Sequence, residues 1–243
     1  MYRFFSDSKD IFQDKIVIVD KKEVHHLKDV LRVKLDEQVV IFDEKANEYI
    51  CRIQEILKDK VMLRIENRIT CYSGLSPYIC VACAMPKKAR MDEVVDKLTQ
   101  LGVERIIPLM TQRVIVKPDE KGKILKQRRW ERIALVAAQQ SQRSTVPQIG
   151  PIMDIKEVLR QCEDYDLRLI PTLTGQRRNL RQIMFEVKPK RILVLIGPEG
   201  DFTEEELNLA ESKGFMRISL GNLVLRVETA CVAIVSFIRF LFL

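Results

Sequence analysis

Arg191-Ile-Leu-Val-Leu-Ile-Gly-Pro-Glu-Gly-Asp-Phe-Thr-Glu-Glu-Glu206 decides the fold. Residues 191–196 form a short, nearly unbroken apolar run closed by glycine and proline, the pattern of a strand buried on both faces. Thr203-Glu-Glu-Glu206 spells a capping box, in which a hydroxyl and a carboxylate satisfy the first free amides of a helix. The three carboxylates also suit the positive end of the helix dipole. A buried strand, a glycine-containing loop and a helix in that order make one unit of a parallel α/β sheet. Ligands bind such sheets at the loops that follow the strands. Gly197 and Gly200 permit close backbone approach and Pro198 stiffens the turn. The segment is not GxGxxG and no Walker lysine follows it, so neither a dinucleotide nor a nucleoside triphosphate is expected.

The same grammar extends in both directions from this segment. Leu167–Thr172 and Phe215–Leu220 read as further strands, with Gly214 closing the helix between 203 and 213. Ser219-Leu-Gly-Asn-Leu-Val-Leu-Arg-Val-Glu-Thr-Ala230 then repeats the strand, glycine loop and helix order, with a last helix from Val227. Arg226, Glu228 and Thr229 crowd the entrance of that apolar helix and need partners, either a cofactor or an Arg226–Glu228 ion pair. Upstream, 78–85 and 103–110 read as strands. Met91, Val94, Val95, Leu98 and Leu101 recur at helical spacing before Gly102, and Trp130, Ile133, Ala134 and Ala137 mark another helix. The alternation predicts a largely parallel sheet over 73–243.

Before residue 73 the pattern differs. Ile16–Val19, Gln38–Phe42, the alternating Tyr49, Cys51 and Ile53, and the alternating Val61, Leu63 and Ile65 read as closely spaced strands of a small antiparallel barrel spanning 1–72. Val24, Leu27 and Leu31 fit one face of a short helix between the first two strands. Asn67 to Pro77, with Ser73, Gly74 and Ser76, reads as the linker.

Apolar residues make up 47% of the 243 and charged residues 31%, which excludes a disordered tail protein or a cysteine-stapled mini-protein. The net charge of +7 is localised. Residues 1–74 and 144–243 are balanced, whereas 75–143 hold 14 basic and 7 acidic residues, a surplus that points to a polyanion such as nucleic acid. The opening Met1-Tyr-Arg-Phe-Phe5 is followed by charged residues and is no secretory signal. Ala230–Leu243 is too short for a bilayer and is broken by Arg239, so a buried helix is expected. Cys80 and Cys83 lie within a strand, where a spacing of three sends them to opposite faces. With His25 and His26 the only histidines, no metal site is expected, and reduced, buried cysteines in a cytoplasmic protein are.

Gly197-Pro-Glu-Gly200 with Asp201-Phe202, followed by Leu220-Gly-Asn-Leu-Val-Leu-Arg-Val-Glu-Thr-Ala230, resembles the ribosomal RNA small-subunit methyltransferase E family. These are uridine N3-methyltransferases of the knotted SPOUT superfamily. The resemblance covers nearly the whole chain. Arg3-Phe-Phe5, His25-His-Leu27 and Val30-Leu-Arg32 resemble its opening; Lys97, Leu101-Gly-Val103 and Pro108 its central helix and strand; and Arg129-Trp130, Gln140-Ser141, Arg143 and Val146-Pro147 its next helix and exit. The implied fold is a PUA-like β-barrel followed by a SPOUT domain with a C-terminal trefoil knot.

The implied activity is methylation of uridine N3 in 16S rRNA of the assembled small ribosomal subunit, with S-adenosylmethionine as cofactor. A homodimer with the active site at the subunit interface goes with it. Carried over position by position, the cofactor pocket comprises Thr172, Leu173, Ile196, Gly197, Pro198, Glu199, Gly200, Leu220, Gly221, Leu225, Arg226, Glu228, Thr229 and Ala230. Asp201 stands where the family often has glycine and Val227 where threonine is usual, departures that bear on cofactor affinity. Gln100, Val114 and Tyr2 depart elsewhere. Because the N3 proton must leave, an anionic ring has to be stabilised, and Arg226 is the first candidate, with Arg143 the second. Arg3, Arg32, Lys87, Arg90, Lys97, Arg113, Lys117, Arg129 and Arg143 are the expected RNA contacts, although Glu93–Lys97 also suits an intrahelical pair. Two competing readings are a SPOUT enzyme acting on another RNA and a non-catalytic RNA-binding assembly factor.

Overall fold

The computed structural model describes residues 1–70, 77–86, 90–114 and 118–242. Within them, the alternating N-terminal segments form a five-stranded sheet from β1 (Tyr2–Phe5), β2 (Lys15–Ile18), β3 (Gln38–Phe42), β4 (Asn47–Ile56) and β5 (Val61–Thr70), in the order β1-β3-β4-β5-β2. Alternation sends Ile16, Ile41, Cys51, Ile53 and Leu63 into a shared core with Phe4 and Leu27. Helix α1 (Lys21–His25), capped by the Asp20 carboxylate on the Lys22 and Glu23 amides, continues through His26–Val30 as a wider π turn. Two expectations change. Tyr2–Phe5 is a strand and pairs parallel with β3, so the sheet is not wholly antiparallel. The expected linker is strand as far as Thr70, because β5 pairs along the full length of β4; Ser73, Gly74 and Ser76 lie outside the described residues.

The second sheet comprises β6 (Tyr78–Ala84), β7 (Arg105–Met110), β8 (Gln148–Ile149), β9 (Met153–Asp154), β10 (Leu167–Pro171), β11 (Arg178–Asn179), β12 (Arg191–Ile196) and β13 (Met216–Ser219). The order is β11-β13-β10-β12-β6-β7-β8, with β9 also on β7, and every pair is parallel. Its helices are α2 (Arg90–Gln100), α3 (Glu120–Gln140), α4 (Ile155–Arg160), α5 (Leu180–Val187), α6 (Glu204–Ser212) and α7 (Val227–Phe240). The helices cover the strands, so β6 and β12 are buried along almost their whole length, as their unalternating apolar runs require. The capping box at Thr203 and Glu206 forms as its spelling predicts, and Gly102 and Gly214 adopt φ of +82° and +78° at helix exits. Helices α4 and α5 are additional, each begun by a side-chain cap, Asp154 and Asn179.

The chain divides into two compact units, Met1–Ser73 with Ala138–Val146 and Gly74–Ala137 with Pro147–Leu243. A single cut near residue 72 does not capture the return of 138–146 to the first unit. There Gln139 donates to Glu23 Oε1 at 3.0 Å and the Ser144 hydroxyl donates to Glu48, which also receives Arg3. Cys51, Cys80, Cys83, Cys162 and Cys231 are free and buried. Burial pushes the Cys51 thiol up to about 12 and that of Cys80 up to about 11, which keeps both protonated and unreactive.

Candidate functional site

Strands β13, β10 and β12 are neighbours and parallel, so the loops after them emerge side by side although long stretches of sequence separate them. They enclose a cleft of about 560 Å³, counting its open mouth. Pro171, Thr172 and Leu173 form the first wall. Ile196 to Glu199 with Asp201 form the second. Leu220, Gly221, Leu223 to Leu225, Val227 and Ala230 form the third.

Ten of the expected cofactor residues therefore share one cleft: Thr172, Leu173, Ile196, Gly197, Pro198, Glu199, Leu220, Gly221, Leu225 and Ala230. Gly200, Arg226, Glu228 and Thr229 stand outside its lining. Pro171, Leu223 and Val224 line it without having been named among those fourteen, and Asp201 and Val227, the two departures expected to bear on cofactor affinity, line it as well. Leu223 and Val224 are 77% and 72% exposed, and a run of large apolar side chains in a solvent-facing loop was the available signal.

The second wall has a specific shape. A Cβ on Gly197 would approach the Phe202 ring to 3.0 Å, so only glycine lets that ring close beneath the turn. Asp201 takes a left-handed φ of +60°, its amide donating to Pro198 O at 2.9 Å. Arg113 donates to the carbonyls of Gly200 and Phe202, and the Gln112 amide donates to Glu206 Oε1 at 2.9 Å. The loop after β7 thereby braces the turn from behind.

Glu228 does not pair with Arg226. Its Oε1 lies 3.6 Å from Arg90 Nη1, while its Oε2 is buried without a hydrogen-bond partner among the described residues. The reason is helical geometry: α7 begins at Val227, so the Glu228 side chain turns inward whereas Arg226, the residue before the helix, stays exposed. Arg226 enters no ion pair among the described residues. Arg143 belongs to the first unit and donates to the Thr145 hydroxyl at 3.1 Å.

The basic residues of the expected RNA surface divide by what they touch. Arg3 is nearly buried against Glu48, and Arg113 holds the turn just described. Arg90 faces Glu228, Arg129 pairs with Asp92, and Lys97 makes the intrahelical contact with Glu93 at 3.8 Å. Arg32 is exposed in the left-handed region. Lys87 and Lys117 lie outside the described residues.

The cleft lining is chemically selective. It carries the carboxylates Glu199 and Asp201 and, among the described residues, no lysine, arginine or histidine. A phosphorylated ligand would find no counter-charge there, whereas a neutral or cationic ligand with apolar parts would fit. Among the described residues no cluster of His, Cys, Asp and Glu is placed to hold a metal, and no helix is long and apolar enough to cross a membrane.

Comparison with known proteins agrees with this architecture. The family described as RNA methyltransferase domain matches residues 75–239, and the RNA methyltransferase PUA domain matches residues 19–66. The chain belongs to this RNA methyltransferase family. It is 28% identical to the ribosomal RNA small subunit methyltransferase E of Bacillus subtilis, over 95% of this chain and 93% of that protein. It is 29% identical to the protein of the same name from Mesomycoplasma hyopneumoniae, over 97% and 98%. The structure of the methyltransferase E of Neisseria gonorrhoeae bound to S-adenosylmethionine superposes with a TM-score of 0.88, at 29% identity over 99% of this chain and 98% of that one. Lpg2936 of Legionella pneumophila, with bound S-adenosylmethionine, gives 0.88 at 29% identity over 98% and 97%. The methyltransferase therefore has the expected fold class: a PUA-like N-terminal unit and a parallel α/β sheet of the SPOUT type.

Proposed function

We propose that the chain methylates N3 of a specific uridine in 16S rRNA of the assembled small ribosomal subunit, using S-adenosylmethionine. The observation that carries this reading is the cleft at the ends of β13, β10 and β12, apolar and acidic in its lining, within a chain of the RNA methyltransferase family. Two relatives of matching length and fold hold S-adenosylmethionine. A sulfonium ligand without phosphates is what a lining with carboxylates and no basic side chain admits. Thr172, Leu173, Gly197, Leu220 and Leu225 would hold the cofactor, which when bound supplies an electrophilic methyl group.

The rest of the chemistry falls to the protein. Methyl transfer to a ring nitrogen is a displacement, so the walls must align donor and acceptor. Losing the N3 proton leaves negative charge on the uracil, and Arg226, exposed beside the third wall, is assigned to stabilise it, with Arg143 the second candidate. RNA contact is assigned to Arg32, Lys97, Arg129 and Arg143, with Lys87 and Lys117. A homodimer completes the reading, supported by Phe237, Phe240, Leu241 and Phe242, which leave apolar surface exposed at the end of α7. The trefoil threading of the C-terminal segment and a cytoplasmic location belong to the same proposal.

The deciding experiment is methyl transfer from labelled S-adenosylmethionine to small subunits lacking the modification, with naked rRNA and bulk tRNA in parallel. Label mapped to uridine N3 of 16S rRNA, favouring assembled subunits, is the expected result. Label in tRNA alone would keep the fold and change the substrate. No label anywhere beside an active control would leave a non-catalytic RNA-binding factor.

A further inference from the structure

One side chain joins the first wall of the cleft to the second. Asp201 Oδ2 accepts from the Thr172 hydroxyl at 2.8 Å and from the Leu173 amide at 3.1 Å, while Oδ1 accepts from the Phe202 amide at 2.8 Å. Both acceptors of one carboxylate are thus engaged by the loops after β10 and β12, which are 28 and 29 residues apart in sequence. The backbone takes a left-handed φ of +60° at this position, where glycine is ordinarily the easier residue. Aspartate tolerates this region when its short side chain is hydrogen-bonded locally, and charge-assisted bonds to three donors hold it here.

We propose that Asp201 is a positioning residue that staples the Thr172–Leu173 loop to the Gly197–Gly200 turn and so preforms the cofactor cleft. The inference rests on the cofactor reading above and deepens it. Without the staple, Leu173, half exposed at the rim, and the Thr172 hydroxyl have no fixed distance from the turn. A ligand would then have to order both loops on binding and would lose affinity to that cost. Asp201 also lines the cleft, so its charge offers a second way to act, by attracting a sulfonium directly. The two modes separate cleanly. A staple serves any ligand of the cleft, whereas direct attraction to the sulfonium serves only the ligand that carries it.

The test is calorimetric titration of the full chain, and of its Asp201→Gly and Asp201→Asn variants, with S-adenosylmethionine and with S-adenosylhomocysteine, which lacks the sulfonium charge. Glycine accepts the left-handed turn without strain, so the loss in Asp201→Gly is assigned to the carboxylate and not to the backbone. Both ligands are expected to weaken by the same factor, about tenfold or more, as for hydrogen bonds to a charged group. Asp201→Asn, which keeps one oxygen to accept from Thr172 and Leu173, falls between. In the methyl-transfer assay KM for the cofactor rises more than kcat falls, a split that general destabilisation would not give. Asp201→Gly binding both ligands like the unaltered protein overturns the proposal, and so does a loss confined to S-adenosylmethionine. Should Asp201→Gly not fold, unaltered binding of both ligands by Asp201→Asn overturns it equally. Failure of the unaltered protein to bind either ligand would overturn the cofactor reading itself, and the staple with it.

Discussion

The Arg239 guanidinium caps both oxygens of the Glu104 carboxylate, its Nη2 lying 2.9 and 3.0 Å away across 135 residues of sequence. It also donates to Pro77 O at 2.8 Å, to Leu101 O at 3.3 Å and to Gly102 O, while Glu104 Oε2 receives the Ile79 amide at 2.7 Å. The charge that interrupts the apolar terminal run is therefore the fastener of α7, joining its last turn to the α2–β7 turn and the start of β6. Arg239→Ala should cost about 3 kcal/mol, the lower end for breaking a buried pair, since Glu104 keeps some exposure. Glu104→Gln added to it should restore part of the loss. Denaturant unfolding measures both, and an unchanged midpoint in Arg239→Ala would contradict the assignment.

Gly197→Ala places a methyl group 3.0 Å from the Phe202 ring, so the ring must leave its buried seat or the turn must shift. Either movement reshapes the second wall. Affinity for S-adenosylmethionine should fall by about tenfold, for a stability loss of about 1–3 kcal/mol. Titration and thermal melting read the two effects separately. Normal affinity in a folded variant would show that the turn has room to spare.

Arg226→Ala should abolish methyl transfer while leaving cofactor binding nearly intact, because Arg226 stands outside the cleft lining. Loss of a donor aimed at developing charge typically costs about 100- to 1,000-fold in rate. Single-turnover assays with saturating subunits, alongside titration with the cofactor, separate the two. Near-normal turnover would move the role to Arg143.

Burial raises the Glu23 carboxyl above its ordinary value of 4.5, partly offset by the Gln139 amide, and Glu23 Oε2 is buried without a hydrogen-bond partner among the described residues. The folded chain therefore holds this proton more tightly than the unfolded chain. Stability on this account is full below about 4.5, falls as pH rises through the raised folded value, and stays lowered at neutral pH. Glu23→Gln keeps an acceptor for Gln139 and removes the charge. It should melt roughly 2–4 °C above the unaltered chain at neutral pH, the shift of about 1 kcal/mol, and together with it in acid. Melting curves across that range check the sign.

Legibility in the sequence followed the range of each interaction. Strands β6 and β12 were readable because burial on both faces demands continuous apolar runs, and α6 because its cap is spelled within four residues. The lining of the cleft was readable where glycine-containing loops form it, as at Gly197 and Gly221. Partners brought together only by the sheet were not. Nothing local links Asp201 to Thr172, directs Arg90 rather than Arg226 to Glu228, or returns Ser144 to Glu48. The two-residue strands β8, β9 and β11 carry too few positions for any periodicity to register.

The placement of β6 between β12 and β7 also governs how the molecule comes off the ribosome. Residues Ile79 to Ala84, fully enclosed in the finished protein, gain their β7 neighbour soon after synthesis but wait for residues 191–196 to cover the other side. Throughout that interval the nascent chain presents a bare, apolar strand edge, the kind that recruits foreign strands. Premature termination anywhere before β12 leaves that edge permanently open. Truncated products should therefore be insoluble rather than merely inactive.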